Sequence, residues 1–405
     1  MPQELIDRTI DLLRGDTAAL RACSLTHSAL RSRAQFHIYH TVHFTPERWT
    51  KYDALAKQSP HLGNNVRRLH VEQPVGLLTR SSLQSARAYG YEQFARPRTT
   101  RGPPLFPAAT TLELQMLDKT ALSPLLLSNV CDLRTIEAIY LRACIVFNMG
   151  HVAEFICNFP RLRSLSLCDL FTADDYRPGS TSKDRSYAIT ASVNTTVPPA
   201  LEELRFVSNT LILGAENSIS LTKWLFEQGM HARLSTLEIS AARRADVATL
   251  SACLGQLGPR LQRLYLAIEQ QDDDASLSDP LTLSSNTGLR TLGLWGLKLH
   301  ADTESRRPRP SLAWVPRVLK ELGTPVLEHV HLQFRAGGTS PSDFDTLDWA
   351  AINDILCDQR FGSLRRVTIE LLRGYNIKDA MWPYVEARMA ELHARGIVVH
   401  TYSSI

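Results

Sequence analysis

His329 and His331, in Leu327-Glu328-His329-Val330-His331, are the first residues whose type and spacing could do chemistry. Two apart on a strand, they share one face, and neutral imidazole is a common metal ligand. No third ligand stands near in sequence, so they read as exposed positions of a repeated strand. Asp272-Asp273-Asp274 would suit a cation but lacks the remaining positions of a calcium loop, and reads as a solvated acidic turn. Gly337-Gly338 has neither the spaced glycines nor the Lys that a phosphate cradle needs, and reads as a plain turn. No G-x-S-x-G, H-E-x-x-H, Walker or dinucleotide motif is present.

The seven cysteines, Cys23, Cys131, Cys144, Cys157, Cys168, Cys253 and Cys357, are scattered and odd in number, with no C-x-x-C pair. They read as buried, reduced thiols of an intracellular protein. The expectation is therefore no catalytic residue, no cofactor, no metal and no enzymatic activity. An enzyme on an α/β fold would need a cluster of perturbed acids and histidines in a deep pocket.

Composition narrows the classes further. At 405 residues, with 44% hydrophobic content, the chain is long enough for a small module plus a large domain with a real core. A net charge of +4 and the lack of a basic patch with interleaved aromatics argue against nucleic acid. No stretch reaches the roughly 18 apolar residues of a membrane span. The N-terminus reads as an acidic–apolar helix rather than a signal peptide. Asn194-Thr195-Thr196 matches a glycosylation acceptor and reads as a chance match.

Most of the chain repeats a cassette, L-x-x-L-x-L, followed by a turn. Clear copies begin at Leu162, Leu201, Leu234, Leu261 and Leu289, and weaker ones at Val66, Ala109, Ile136, Leu327 and Leu364. The closest starts lie 26 to 28 residues apart, within the unit length of a leucine-rich repeat. Alternation on a strand points the leucines to one side and the residues between them to solvent. One such strand cannot bury its apolar side alone, so neighbours must stack. Two copies extend to a Cys or Asn, Cys144 and Asn209, the position that in leucine-rich repeats satisfies backbone groups of the next turn; Cys144 is therefore expected to be structural. Helical patterns alternate with the cassettes at 152–157, 221–226, 246–257 and 349–356.

The expected fold class is α/β, a leucine-rich-repeat-like solenoid (a horseshoe of parallel strands) over 45–405, with about ten irregular repeats. A helix at 380–395 and a last strand at 396–400 would cap it, over about 380–405. A doubly wound sheet is the alternative, disfavoured by the repeated leucines and the missing glycine motif. Segments 96–104, 172–199, 270–280 and 302–310 break the repeat and read as surface loops.

Residues 1–44 read as three short helices. Pro2 suits a first helical turn. Leu5, Ile6, Ile10 and Leu13 follow at helical spacing, and Gly15 stops the helix. Asp16 can cap a second helix with Leu20 and Cys23 on one side, and Thr26 a third with Leu30, Ala34 and Ile38. So small a module buries little surface, and its exposed apolar residues are expected to be an interface.

This order resembles an F-box: Pro2, Glu4, Leu5, Ile6, Ile10 and Leu13, then Leu20, Cys23, Ser24 and Leu25, then the basic third helix with Arg31 and Arg33. Ala29 stands where that helix usually carries a Trp. The family is similar to the F-box proteins of fungi with a repeat domain behind the module. The resemblance implies a non-catalytic substrate receptor of an SCF ubiquitin ligase in the cytoplasm or nucleus. The module would bind Skp1, and through it a cullin, using Pro2, Leu5, Ile6, Ile10, Leu13, Leu20 and Leu25. Some of these pack on Skp1 and some on one another, and sequence does not separate the two roles. The repeat domain would hold a target protein on its solvent-facing strand positions, with Tyr140, Arg142, Arg205, Tyr265, Trp295 and His331 as candidates, because aromatics and Arg dominate interface hot spots. The alternative is an F-box and repeat scaffold that binds proteins without ligase activity.

Overall fold

Every L-x-x-L-x-L cassette carries a β-strand in the computed structural model, and the alternation of its side chains explains why. The structure describes residues 2–45, 49–72, 105–116, 131–146, 149–172, 199–207, 215–242, 246–268, 281–298, 312–335, 341–372 and 378–403. They fall into two units, Met1–Pro199 and Ala200–Ile405.

The first unit opens with α1 (Gln3–Leu12), α2 (Thr17–Thr26) and α3 (Ser28–Tyr39), followed by β1 (Thr41–Phe44), α4 (Trp49–Gln58), α5 (Pro60–Gly63), β2 (Arg68–Glu72), β3 (Thr111–Gln115), β4 (Ala138–Arg142), β5 (Ile145–Val146), α6 (Met149–Ile156), β6 (Ser164–Cys168) and β7 (Phe171–Thr172). Strands β1, β2, β3, β4 and β6 pair in that order, all parallel, and β5 pairs with β7 separately. The cassettes align: Leu69, Leu112, Ile139 and Leu165 form one ladder, and Val71, Leu114, Leu141 and Leu167 the next. All eight are buried, and each such side chain is worth about 1.5–3 kcal/mol relative to exposure.

The second unit comprises β8 (Glu203–Val207), α7 (Ala215–Glu227), β9 (Thr236–Ala242), α8 (Val247–Leu257), β10 (Arg263–Ile268), β11 (Thr291–Lys298), α9 (Trp314–Glu321), β12 (His329–Arg335), α10 (Trp349–Cys357), β13 (Arg366–Leu372), α11 (Lys378–Arg388), α12 (Ala390–Ala394) and β14 (Val398–Ser403). Its seven strands also pair in chain order, all parallel. Two ladders of the same kind run across it, from Leu204 to Val367 and from Phe206 to Ile369. In neither unit does the strand order reverse, so a doubly wound sheet, with its switch point, is not what forms.

Helices cover the leucine side. In α8 the buried Val247, Leu250, Cys253, Leu254 and Leu257 keep helical spacing. Asn286, fully buried, donates from Nδ2 to the carbonyls of Leu254 (2.8 Å) and Gly258 (3.0 Å) at the end of α8. Trp349 of α10 packs on Phe334 of β12, and its Nε1 donates to the Phe344 carbonyl (2.8 Å).

The turn expected after each cassette has a recurring conformation. Met116, Ala143 and Asp169, each directly after its strand, adopt left-handed backbone with φ of 55°, 50° and 49°. The N–H groups of Met116 and Ala143 donate to the carbonyls of Arg142 and Cys168, both at 2.8 Å, extending the ladder by one residue. Cys144 sits just beyond. It is fully buried, and its Sγ reaches the carbonyls of Leu114 (3.3 Å) and Arg142 (3.4 Å), the structural role expected of it.

Some expectations are corrected. Thr26 does not cap α3; its hydroxyl donates within α2 to the Cys23 carbonyl, and His27 Nδ1 accepts the Ala29 N–H instead. The single helix expected at 380–395 is two, α11 and α12, which meet at Met389 (φ −110°, ψ 37°). The break exposes N–H groups of α12, and Asn353 Oδ1 accepts that of Leu392 (3.3 Å). Residues 41–44, which follow the third helix, form β1 and hydrogen-bond with β2. Segments 96–104, 270–280 and 302–310, most of 172–199, and Asn209 and Gly337-Gly338 lie outside the described residues.

Candidate functional site

The three N-terminal helices have a filled interior. Ile10, Leu20 and Ala34 are buried at its centre, with Leu13, Cys23, Leu30 and Ile38 packed around them. Asp16 caps α2 as expected, accepting from the Ala19 N–H at 2.9 Å. Asp11 of α1 ties down α3: Arg33 donates to both its oxygens (2.5 and 2.8 Å), and His37 Nε2 lies 2.7 Å away. The hydrogen bond from Arg33, with a second from His37, holds the Asp11 carboxyl well below the usual carboxylate range.

Outside this interior stand large apolar side chains with nothing over them. Leu5 is 52% exposed, Leu12 84% and Leu25 81%; Pro2 is exposed and Ile6 half-buried. Leu5 and Leu12, seven apart on α1, share a face. The structure thus sorts the expected docking residues. Ile10 (2%) and Leu20 (1%) support the module from within, Leu13 packs against that interior, and Pro2, Leu5 and Leu25 lie outside. Leu12 was missed. Its signal was Leu12-Leu13, two adjacent leucines where one helical stripe takes a single residue per step.

The second group of candidates lies on the sheet faces opposite the leucines. In the first unit, Tyr140 and Arg142 of β4 join a charged cluster around the buried Glu113. Its carboxylate has His70 Nδ1 at 3.3 Å, Arg68 at 3.5 Å and Arg142 at 3.6 Å, and the Arg68 guanidinium lies over the Tyr140 ring. His70 Nε2 faces Glu72 at 3.5 Å.

In the second unit the candidates form a run across five strands. Arg205 donates to Glu203 (2.8 Å) and lies 3.8 Å from Glu238. Burial raises the Glu238 carboxyl, with Arg205 opposing the rise. Tyr265 follows in register with Glu238, and its ring meets Trp295 at 4.9 Å. Trp295 Nε1 donates to His331 Nδ1 (3.3 Å), and His331 Nε2 contacts Glu370 Oε2 (2.8 Å), which also accepts from Gln333 (3.0 Å). His329 stacks parallel to His331 and pairs with Thr368 (2.8 Å). Burial pushes both histidines below their ordinary value. Tyr265, Trp295 and His331 are therefore one contiguous surface, with Arg205 at one end.

The position in register with Tyr265 is Gly293, not an aromatic. Its missing side chain is what lets Tyr265 lean onto Trp295. An interior strand glycine signals such close approach, so Gly293 was legible in the cassette, but sequence reading passed over it.

None of the seven cysteines is in a disulfide, and burial pushes the Cys131 thiol up to about 12 and that of Cys253 to about 11, so neither forms a thiolate near neutral pH. Among the described residues, no group of three or more His, Cys, Asp or Glu is placed to hold a metal. No described helix is long and apolar enough to cross a membrane. No protein-family model matches the chain, and no curated protein matches its sequence.

Proposed function

We propose that this protein is a non-catalytic substrate receptor of an SCF ubiquitin ligase, with an F-box at residues 1–44 and a leucine-rich-repeat-like solenoid behind it. One observation carries the reading. A helical module in F-box order exposes Leu5, Leu12 and Leu25 while its own interior is already filled. Exposed large apolar residues concentrated on so small a module mark a surface that a partner covers. Skp1 is the partner that the motif order implies, with a cullin beyond it. The open sheet faces would hold a target protein, so that the receptor acts by proximity, raising the local concentration of target lysines.

The test is capture of Skp1 and cullin by the full chain. Wild type is expected to co-purify with both, and Leu12→Asp/Leu25→Asp to lose both while staying folded. Equal capture by the variant would overturn the reading. Skp1 without cullin would favour a scaffold with no ligase role.

A further inference from the structure

The sheet face of the second unit carries more positive charge than its own carboxylates use. Glu203 and Glu238 face Arg205, and Glu370 takes His331 and Gln333. Four basic residues of the same face, Arg263, Lys298, Arg335 and Arg366, have no carboxylate partner among the described residues. Arg263 makes one neutral hydrogen bond, to Thr236 (3.0 Å). The first unit differs, since there Arg68 and Arg142 both converge on Glu113.

Two of the four are set against each other. Beyond an irregularity in β11, Lys298 comes into register with Arg335 of β12. Like charges side by side on one sheet face repel. Arg335 Nε is also buried with no hydrogen-bond partner, beside Gly296, whose φ is 67°. A buried guanidinium N–H left open next to a lysine suits an anion. Half-buried Trp295 lies just before the irregularity, with Tyr265 against it, so an apolar surface adjoins the charge.

We infer that this face binds an extended acidic segment of the target, its carboxylates against Lys298–Arg335 and Arg263–Arg366 and an apolar side chain against Tyr265–Trp295. Charge complementarity selects the occupant. The inference rests on the reading of the open face as the target surface, but not on Skp1 docking.

The experiment measures anisotropy of a short labelled peptide alternating Asp and Leu, titrated with the full-length protein at low and high salt. Counterparts carry Asn, Lys or phosphoserine in place of Asp. The Asp peptide is expected to bind, more weakly as salt rises, and the Asn and Lys peptides to fail. Lys298→Glu/Arg335→Glu and, separately, Arg263→Glu/Arg366→Glu should each weaken binding by about tenfold or more, while Arg233→Glu, an exposed change elsewhere, should not. The second pair is exposed, so it decides the matter if the first disturbs folding. No binding of the Asp peptide, equal binding of the Asn peptide, binding of the phosphoserine peptide alone, or indifference to both reversals would each overturn the inference. Skp1 capture by the same preparations reads the F-box separately, so the two failures are distinguishable.

Discussion

The Tyr265 ring occupies the space that a side chain on Gly293 would take: its Cδ1 lies 2.2 Å from where a β-carbon would stand. Trp295 Nε1 lies 3.1 Å from the same point. A methyl group there must move the ring off Trp295. Gly293→Ala is therefore expected to keep the fold, cost about 1–3 kcal/mol from overpacking, and weaken target capture. In a double-mutant cycle the cost should largely vanish on a Tyr265→Ala background; additive costs would rule the overlap out as the cause. Replacing Tyr265 and Trp295 together should abolish target capture and leave Skp1 capture intact.

Inside and outside positions of the helical module should behave oppositely. Leu20→Ala removes a buried side chain from the Ile10–Ala34 interior and should cost about 2–5 kcal/mol, seen as faster amide exchange across α1–α3. Leu25→Asp, at an exposed position, should change stability by no more than about 0.5 kcal/mol and still lose Skp1. A Leu25 variant that melts as early as Leu20→Ala would place Leu25 in the interior instead.

Acid should destabilise the second unit before the carboxylates titrate. Burial lowers His329 and His331 beneath the ordinary value of 6.5, so the unfolded chain takes up protons at a pH where the fold does not. Stability from this source is whole above about 6.5 and is lost as pH falls below it. The urea midpoint should drop between about pH 7.5 and pH 5.5, and His329→Gln/His331→Gln should flatten that drop. Asp11, held low in the fold, acts at lower pH, its contribution lost only as pH falls below about 4. An unchanged slope in the double variant would assign the acid sensitivity to other groups, of which His40 and His400 are also lowered by burial.

Thiol reactivity should follow burial. Iodoacetamide at mildly alkaline pH should spare Cys131, Cys144 and Cys253 in the native protein and label them after denaturation, as peptide mapping would read out. Rapid native labelling of Cys131 would contradict its full burial beside Phe106.

Much of the fold was legible because period and geometry coincide. A leucine at every second position points to one side of a strand whatever its neighbours are, so the ten cassettes carry ten strands, and Val398–Ser403 follows as the last. The four helical patterns between them are likewise helices. The capping of α3 was not legible, since Thr26 and His27 can both supply an acceptor and the path of the chain chooses between them.

The amino-acid sequence by itself determined which residues alternate, where helical patterns fall between the strands, and that a small helical module precedes a repeat. Those properties depend on neighbours a few positions away. Only the tertiary structure decided that Ile10 and Leu20 face inward while Leu12 and Leu25 face out, that Tyr265 leans over Gly293 onto Trp295, and that Lys298 meets Arg335. Each of these joins elements distant along the chain, through the rotation of a helix or the register of a strand. That register is set by the burial of whole ladders of leucines rather than by any local pattern.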